Sequence, residues 1–586
     1  MIIELKNFTM MKKLLYIINK KYSILAVILL LIFPSCSKDV LEEVPLDFLA
    51  PENAYSSLSG IQQGIIGLHW YFRNSYYDEL TNQDAFAIMN GGVATDLAFH
   101  GENPGGNRKL VNYASEMTPS YIEFVDFFYQ RGYQIIQKAN VLIAAINKAD
   151  NTIFPDETKK NAYLAEAKFF RAWSYRTLVM LYGDVPLVDY VIKGVKTDFV
   201  RAPKAEVFKL MEADLTFAVD NLPAPGSEES KGRITRGAAG TLLSEVYLSQ
   251  AKYQLAVDAA SKVIDGGFYS LMTSRFGSTI DVWKSGDVFL DLFAYGNQNL
   301  PQNREALWVI QFEPLVNGGI KFAGERAFGP AYFRIGNTPD GKPAFRGQLY
   351  NGAYTGYSDS LGRPVAYMHP SNYMAYNIWR SDWNNDIRNA KHSIKRDFYY
   401  DSPGSAFDKK KIDFSKYPAS AGRNKLLDTC QYIFPYILKF ADPLHHFDDP
   451  ARSGGGYVHK DIYSMRLAET YLLRAEAYVD LGNKAAAAAD VNAIRNRAKA
   501  TPVAAANVDI DYILDERARE LYGEEWRHIT LRRVGKLLER VRKYCNNPMY
   551  PGCNIQDQNV LWPIPQTVID LNIDAKMEQN PGYTQK

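Results

Sequence analysis

Residues 242–264, LLSEVYLSQAKYQLAVDAASKVI, and residues 473–494, LRAEAYVDLGNKAAAAADVNAI, are two copies of one pattern. Laid over each other, Glu245 meets Glu476, Tyr247 meets Tyr478 and Ala256 meets Ala487. Both read as helix, short turn, helix. Alanines at the crossing let the two helices approach closely, and the aromatic near the end of the first helix can pack against the next pair. Such a hairpin cannot bury its apolar face alone, so it stacks on neighbours of its own kind. Residues 164–182 supply a third unit of the same character.

Working outward, apolar residues at helical spacing predict helices over about 51–72, 121–148, 157–182, 205–221, 236–248 and 254–264, with more between 462 and 544. Gly183 and Asp184 supply a stop for the helix ending at Tyr182, and Pro186 prevents its resumption. On that helix Glu166, Lys168 and Arg171 sit among Phe169, Phe170, Trp173 and Tyr175, a pattern that fixes helix register rather than performing chemistry. The run containing Glu516, Arg517, Arg519, Glu520, Glu524 and Arg527 favours ion pairs in the same way. Between about 268 and 460 the chain is rich in Gly, Pro, Asn and Tyr and offers only short strand-like runs, of which 306–312 is the clearest. Trp308 lies inside that run and reads as core. The fold class is therefore mostly α: a tetratricopeptide-like helical-repeat scaffold, about 51–267 and 461–586, carrying a long irregular, partly β insertion, about 268–460.

With 67 basic and 65 acidic residues the formal net charge is +2 and no long basic run appears, so neither nucleic acid nor an anionic membrane surface is implied as a partner. The chain has no Gly-x-Ser-x-Gly elbow, no phosphate-binding glycine loop and no His-Glu-x-x-His, and so no compact catalytic motif. His445 and His446 with Asp448 and Asp449 read as a solvated loop rather than a metal site. No metal, nucleotide or redox cofactor is expected. Cys545 and Cys553 could close a short loop as a disulfide in an oxidising compartment, the alternative being two buried free thiols; Cys430 is left over.

The N-terminus reads as an export signal over 1–35. Lys12, Lys13, Lys20 and Lys21 form a basic flank, residues 24–33 are unbroken apolar sequence, and Pro34 and Ser35 lead to Cys36. An apolar run of about ten residues falls short of the roughly 20 that cross a bilayer as a helix. Cys36 at the cleavage point resembles a bacterial lipobox, loosely so because of Phe33 and Pro34, and marks the expected lipidation site. Residues 36–50 would then form a tether, with Asp39, Glu42 and Glu43 resembling the acidic signal that sends lipoproteins to the cell surface.

Residues 165–175, AEAKFFRAWSY, continuing through 181–187, LYGDVPL, closely resemble the signature helix and exit turn of SusD-like (RagB-like) lipoproteins of Bacteroidetes. Four more blocks match in order: RITRGAA (233–239) with 242–248; RLAETYLLRAEA (466–477) with NAIRNRA (492–498); ILDERAREL (513–521) running to Arg533; and LWPIP (561–565) with QNPGY (579–583). A departure is Glu524-Glu525-Trp526-Arg527, where the family often has Glu-Gly-His-Arg. The resemblance implies a non-enzymatic protein of the outer membrane, lipid-anchored at the cell surface. It would capture oligosaccharides and deliver them to a SusC-type TonB-dependent transporter. It also implies a glycan surface built from the loop after the first helix, about 74–118, and from the insertion, about 268–400. With 13% aromatic residues the chain can supply ring-stacking platforms: Trp70, Phe99, Trp283, Tyr295, Trp379 and Trp383, with Asp96 and Arg380 as hydrogen-bonding partners. Alternatives are RagB-like capture of peptides and a secreted glycan hydrolase.

Overall fold

The computed structural model describes residues 10–12 and 54–584, apart from 103–104, 106–108, 323, 348, 351–352, 355, 358–360, 414–424 and 447–456. Cys36, the tether 36–50 and, Met10 to Lys12 excepted, the signal segment 1–35 lie outside the described residues, as do Asp448 and Asp449.

The scaffold begins with α1 (Leu58–Tyr76), whose N-cap Ser57 accepts the Gly60 N–H at 3.2 Å. It continues through α2 (Glu79–Met89), α3 (Phe127–Lys148), α4 (Glu157–Tyr182), α5 (Lys204–Asn221), α6 (Arg236–Leu248) and α7 (Tyr253–Ile264). After the insertion come α8 (Leu467–Asp480), α9 (Lys484–Arg497), α10 (Ile510–Leu521), α11 (Arg527–Arg533) and α12 (Leu537–Tyr544). Asp156 caps α4, and Gly183 ends it at φ 74°, a conformation costly to any residue with a Cβ. The two repeat copies are the hairpins α6–α7 and α8–α9, and they stack on each other. Leu248, Ala256, Val257, Leu473 and Ala477 form their shared core, with Tyr247 and Tyr478 packed against it.

Two departures from the sequence expectation stand out. Residues 462–466 are not helical: Ile462–Arg466 is a strand, β2, paired antiparallel with β1 (Ala306–Ile310). All five β2 residues are buried, so no polar alternation betrayed the strand. The segment 74–118 is not an open loop: it contains α2, and Ala85 to Met89 are buried. Trp308 on β1 is core, as expected. It is ringed by Phe72, Phe169, Phe170 and Trp173, and its indole N–H donates to the Gly232 carbonyl at 3.2 Å.

The charges of α4 fix register. Arg171 and Lys168 both meet Asp214 of α5 at 2.7 Å, and Glu166 accepts from Arg233 and His69. Burial alone would raise the Glu166 carboxyl, but His69 and Arg233 bring it down to about 2. A larger network joins scaffold to insertion. Arg466 at the end of β2 is buried and reaches Glu305 at 2.5 Å, Glu520 at 2.8 Å and Glu524 at 2.5 Å. Glu520 also takes Arg497 and Arg388, and Arg388 binds Asp386 at 2.7 Å and Glu516 at 2.8 Å. Glu516 is shared with Arg495 and Arg519, Arg495 closes on Asp382 at 2.6 Å, and Lys439 reaches Glu524. Six cations thus meet six carboxylates, so the network carries no net charge. Burial would raise the Glu516 carboxyl, yet Arg519, Arg388 and Arg495 hold it at about 2.

Replacing Arg466 with Met removes one of the six cations and leaves the buried network with an uncompensated negative charge beside an apolar side chain. The expected cost is about 3–5 kcal/mol, read as a lowered midpoint of urea unfolding; a midpoint within error of the parent would count against this role.

Cys545, just past α12, and Cys553 are buried free thiols with their sulfurs 3.0 Å apart, while Cys430 is buried elsewhere. The turn between them is organised by Asn547, whose side-chain oxygen accepts the Met549 and Tyr550 N–H groups at 2.9 and 3.3 Å. We propose that the pair is oxidised in the exported protein. Peptide mapping without reductant should give a cross-linked species containing both cysteines, whereas full alkylation of both thiols on unfolding would contradict the pairing.

Candidate functional site

The insertion folds back on the ion network and leaves a cavity of about 630 Å³ between them. Its floor is apolar: Phe289 and Phe293 from the short helix Val288–Leu292 and its end, with Trp379, Ile394, Ile437 and Tyr522. Arg388, Arg519 and Lys439 of the network also line it. The mouth carries Trp283 and Leu444, which are 46% and 63% exposed. Apolar walls with few polar groups are the usual composition of a small-molecule site.

Trp283 is held from its backbone. Its N–H bonds to the Thr279 carbonyl at 2.9 Å, and the Trp283 carbonyl accepts from Arg275 at 3.2 Å. Arg275 is itself anchored on Asp291 and the Gly286 carbonyl. Tyr295 stacks on His445 with ring centroids 4.1 Å apart and planes 20° from parallel. His445 is fixed in turn by Asp442 at 2.5 Å, and across the mouth His392 is fixed by Asp287 at 2.6 Å.

Two lysines line the deep end. Lys439 donates to the Glu520 and Tyr522 carbonyls and to the Glu524 carboxylate, and Lys460 donates to the Lys439 and Ala441 carbonyls at 3.0 and 3.3 Å. Burial lowers both ammonium groups to about 8, against the opposing pull of Glu524 on Lys439 and of Asp442 and Glu325 on Lys460. Asp442 is the one carboxylate among the described lining residues, so the pair of carboxylates that would flank a glycosidic bond is not assembled there.

Of the residues singled out in the sequence, Trp283, Tyr295 and Trp379 come together at this cavity. Trp379 is a wall residue, 1% exposed, with its indole N–H committed to the Met374 carbonyl at 2.8 Å. Trp383 and Arg380 are exposed nearby on the insertion but do not line the cavity, and Trp383 lies beneath the Arg396 guanidinium at 4.5 Å. Trp70 is exposed on α1 beside Gly318, apart from the cavity lining.

Asp96 and Phe99 require correction. Asp96 accepts from Arg527 at 2.7 and 3.0 Å and from Arg540 at 2.7 Å and is fully buried, out of reach of a ligand. Burial would raise its carboxyl, but Arg527 and Arg540 bring it down to about 2. Phe99 is buried in a two-residue strand paired with His369 and stacks on that imidazole at 4.6 Å. Both were misplaced because a long-range pairing, Ala98 with Pro370, closes over the segment.

The sequence reading missed Asp442, Phe289, Phe293 and His392. The only signal for Asp442 was its proximity to His445 and His446, and the loop there is not solvated throughout: His446 is 4% exposed and lies 2.9 Å from Glu325. Among the described residues no group of three or more His, Cys, Asp or Glu is placed to hold a metal ion.

Comparison with known proteins gives two family-model matches: "SusD family" over residues 328–583 and "Starch-binding associating with outer membrane" over residues 106–248. SusD-like protein P25 of Formosa agariphila is 26% identical over 558 residues, covering 92% of this chain and 94% of that protein. The starch-binding protein SusD of Bacteroides thetaiotaomicron is 26% identical over 442 residues, 72% of each chain. Among solved structures, a laminarin-binding SusD-like protein superimposes with a TM-score of 0.63 at 21% identity, over 90% of this chain and all of that one. A SusD-like protein from Bacteroides fragilis gives a TM-score of 0.65 at 18% identity, over 92% of this chain and 100% of that one. These structures establish the shared fold.

Proposed function

We propose that this chain, which belongs to the SusD family, captures oligosaccharides outside the cell and delivers them to a SusC-type TonB-dependent transporter in the outer membrane. The observation that carries the reading is the cavity mouth. There an exposed indole, Trp283, shares the lining with Phe289, Phe293, Tyr295 and Trp379 and with polar groups that are already oriented. Sugar rings present apolar C–H faces that pack on such planes and hydroxyls that satisfy neighbouring polar atoms. Relatives named for binding starch and laminarin support the same ligand class. The protein binds and does not cleave, a reading supported by there being one carboxylate among the described lining residues. It would ride over the transporter as a hinged lid. A diacylated Cys36 would anchor it, since two chains hold a membrane stably where one does so only marginally.

Titration calorimetry against a panel of oligosaccharides should detect binding to the wild-type protein, and Trp283→Ala should weaken it roughly tenfold, about 1.4 kcal/mol, with no change in melting temperature. Binding of peptides but of no oligosaccharide would overturn the reading. Cys36→Ala should move the protein from the membrane to the soluble fraction with its glycan affinity intact; retention in the membrane would contradict anchoring at this residue.

A further inference from the structure

Outside the cavity, the insertion carries a second group of exposed aromatic side chains, and it is built around a cation. Tyr376 and Trp383, 39% and 42% exposed, flank the 3-10 turn Asn377–Asp382. The Arg396 guanidinium lies over both rings, 5.7 Å from the centroid of Tyr376 and 4.5 Å from that of Trp383. None of the three lines the cavity, although Met374, Trp379 and Ile394 of the same segment do.

One buried amide fixes the arrangement. Asn389 Oδ1 accepts from Arg396 Nη2 at 2.6 Å, and Asn389 Nδ2 donates to the Trp383 carbonyl at 2.7 Å. Arg396 also donates to the Ala375 carbonyl, from Nη2 at 2.8 Å and from Nε at 3.3 Å. The guanidinium is therefore oriented, relative to both rings, before any ligand arrives.

What Arg396 lacks is a counter-charge. Its hydrogen bonds go to neutral oxygens, and it forms no ion pair among the described residues. The neighbouring carboxylate, Asp397, is held by Lys411 at 2.5 Å. Burial lowers the pKa of the guanidinium, against the pull of Tyr376 and Asp397. Nη1 makes no hydrogen bond among the described residues and keeps contact with solvent. The arginines and lysine of the cavity differ, since Arg388, Arg519 and Lys439 each already have a carboxylate. An oriented guanidinium with a free N–H matches a carboxylate or sulfate oxygen, and an exposed ring beside it matches the apolar face of the sugar that bears the acid.

We propose that Tyr376, Trp383 and Arg396 form a second glycan-binding surface, separate from the cavity, that takes a sugar carrying an acidic group, either a uronic acid or a sulfate ester. An acidic oxygen takes the Nη1 N–H, and the apolar face of the sugar packs on an exposed ring. This rests on the glycan-binding reading above and adds to it a site and a ligand class.

The test uses the mature full-length chain with calorimetry on neutral, uronic-acid and sulfated oligosaccharides of matched length. The wild-type protein should bind at least one acidic series, with an affinity that falls as salt rises. Arg396→Gln should weaken that binding about tenfold and leave neutral binding unchanged. Trp383→Ala should act in the same direction, whereas Trp283→Ala at the cavity mouth should leave the acidic affinity unchanged. A role confined to packing would not separate acidic from neutral ligands in this way. If Arg396→Gln lowers the melting temperature, the exposed Trp383→Ala variant carries the decision. The inference is overturned, with capture at the cavity left standing, if the wild-type protein binds neutral sugars alone. It is overturned equally if acidic binding survives in Trp383→Ala, falls together with neutral binding, or is lost in Trp283→Ala. Binding of no series at all would overturn glycan capture and this inference together.

Discussion

The buried ion network centred on Arg466 and Glu520 is the constraint on which the rest of the structure depends. It ties β2 and the helices α9 and α10 of the scaffold to Asp382, Asp386, Arg388 and Lys439 of the insertion. Buried charges are tolerated only when each finds a partner in good geometry, so the insertion has few alternative positions once the scaffold is formed. Its value here is in register more than in net stabilisation. An apolar interface of the same area would hold the two parts together without specifying how the segments around 382–395 and 436–442 lie.

That register builds the cavity. Arg388, Arg519 and Lys439 line it, so the side chains that fix the insertion also set the electrostatics seen by a ligand. Because cations and carboxylates balance, the wall is polar in composition yet offers no free charge. The aromatic lining groups, Phe289, Phe293 and Trp379, then determine the shape of the floor, and Trp283 is presented by a turn pinned through Arg275.

The scaffold was largely legible in the sequence because its information is local. Residues 157–182 and 236–248 have the helix bounds that their apolar spacing and stop residues predict, and the repeat joining Glu245 to Glu476 corresponds to two hairpins in contact. What escaped was non-local. The strand at 462–466 depends on β1, more than 150 residues earlier in the chain, as its partner. Asp96 and Phe99 look like loop residues until Arg527, Arg540 and His369 close over them. For the site, Trp283, Tyr295 and Trp379 could be singled out by residue type. Phe289, Phe293 and His392 could not, because only the folded chain brings them to one cavity.

The most direct test of the account is a crystal structure of the protein with a bound oligosaccharide, its contacts read at the insertion cavity. The account predicts a sugar ring packed against Trp283 at the cavity mouth. A ligand found instead on the surface around Trp70, with the cavity occupied only by solvent, would contradict it.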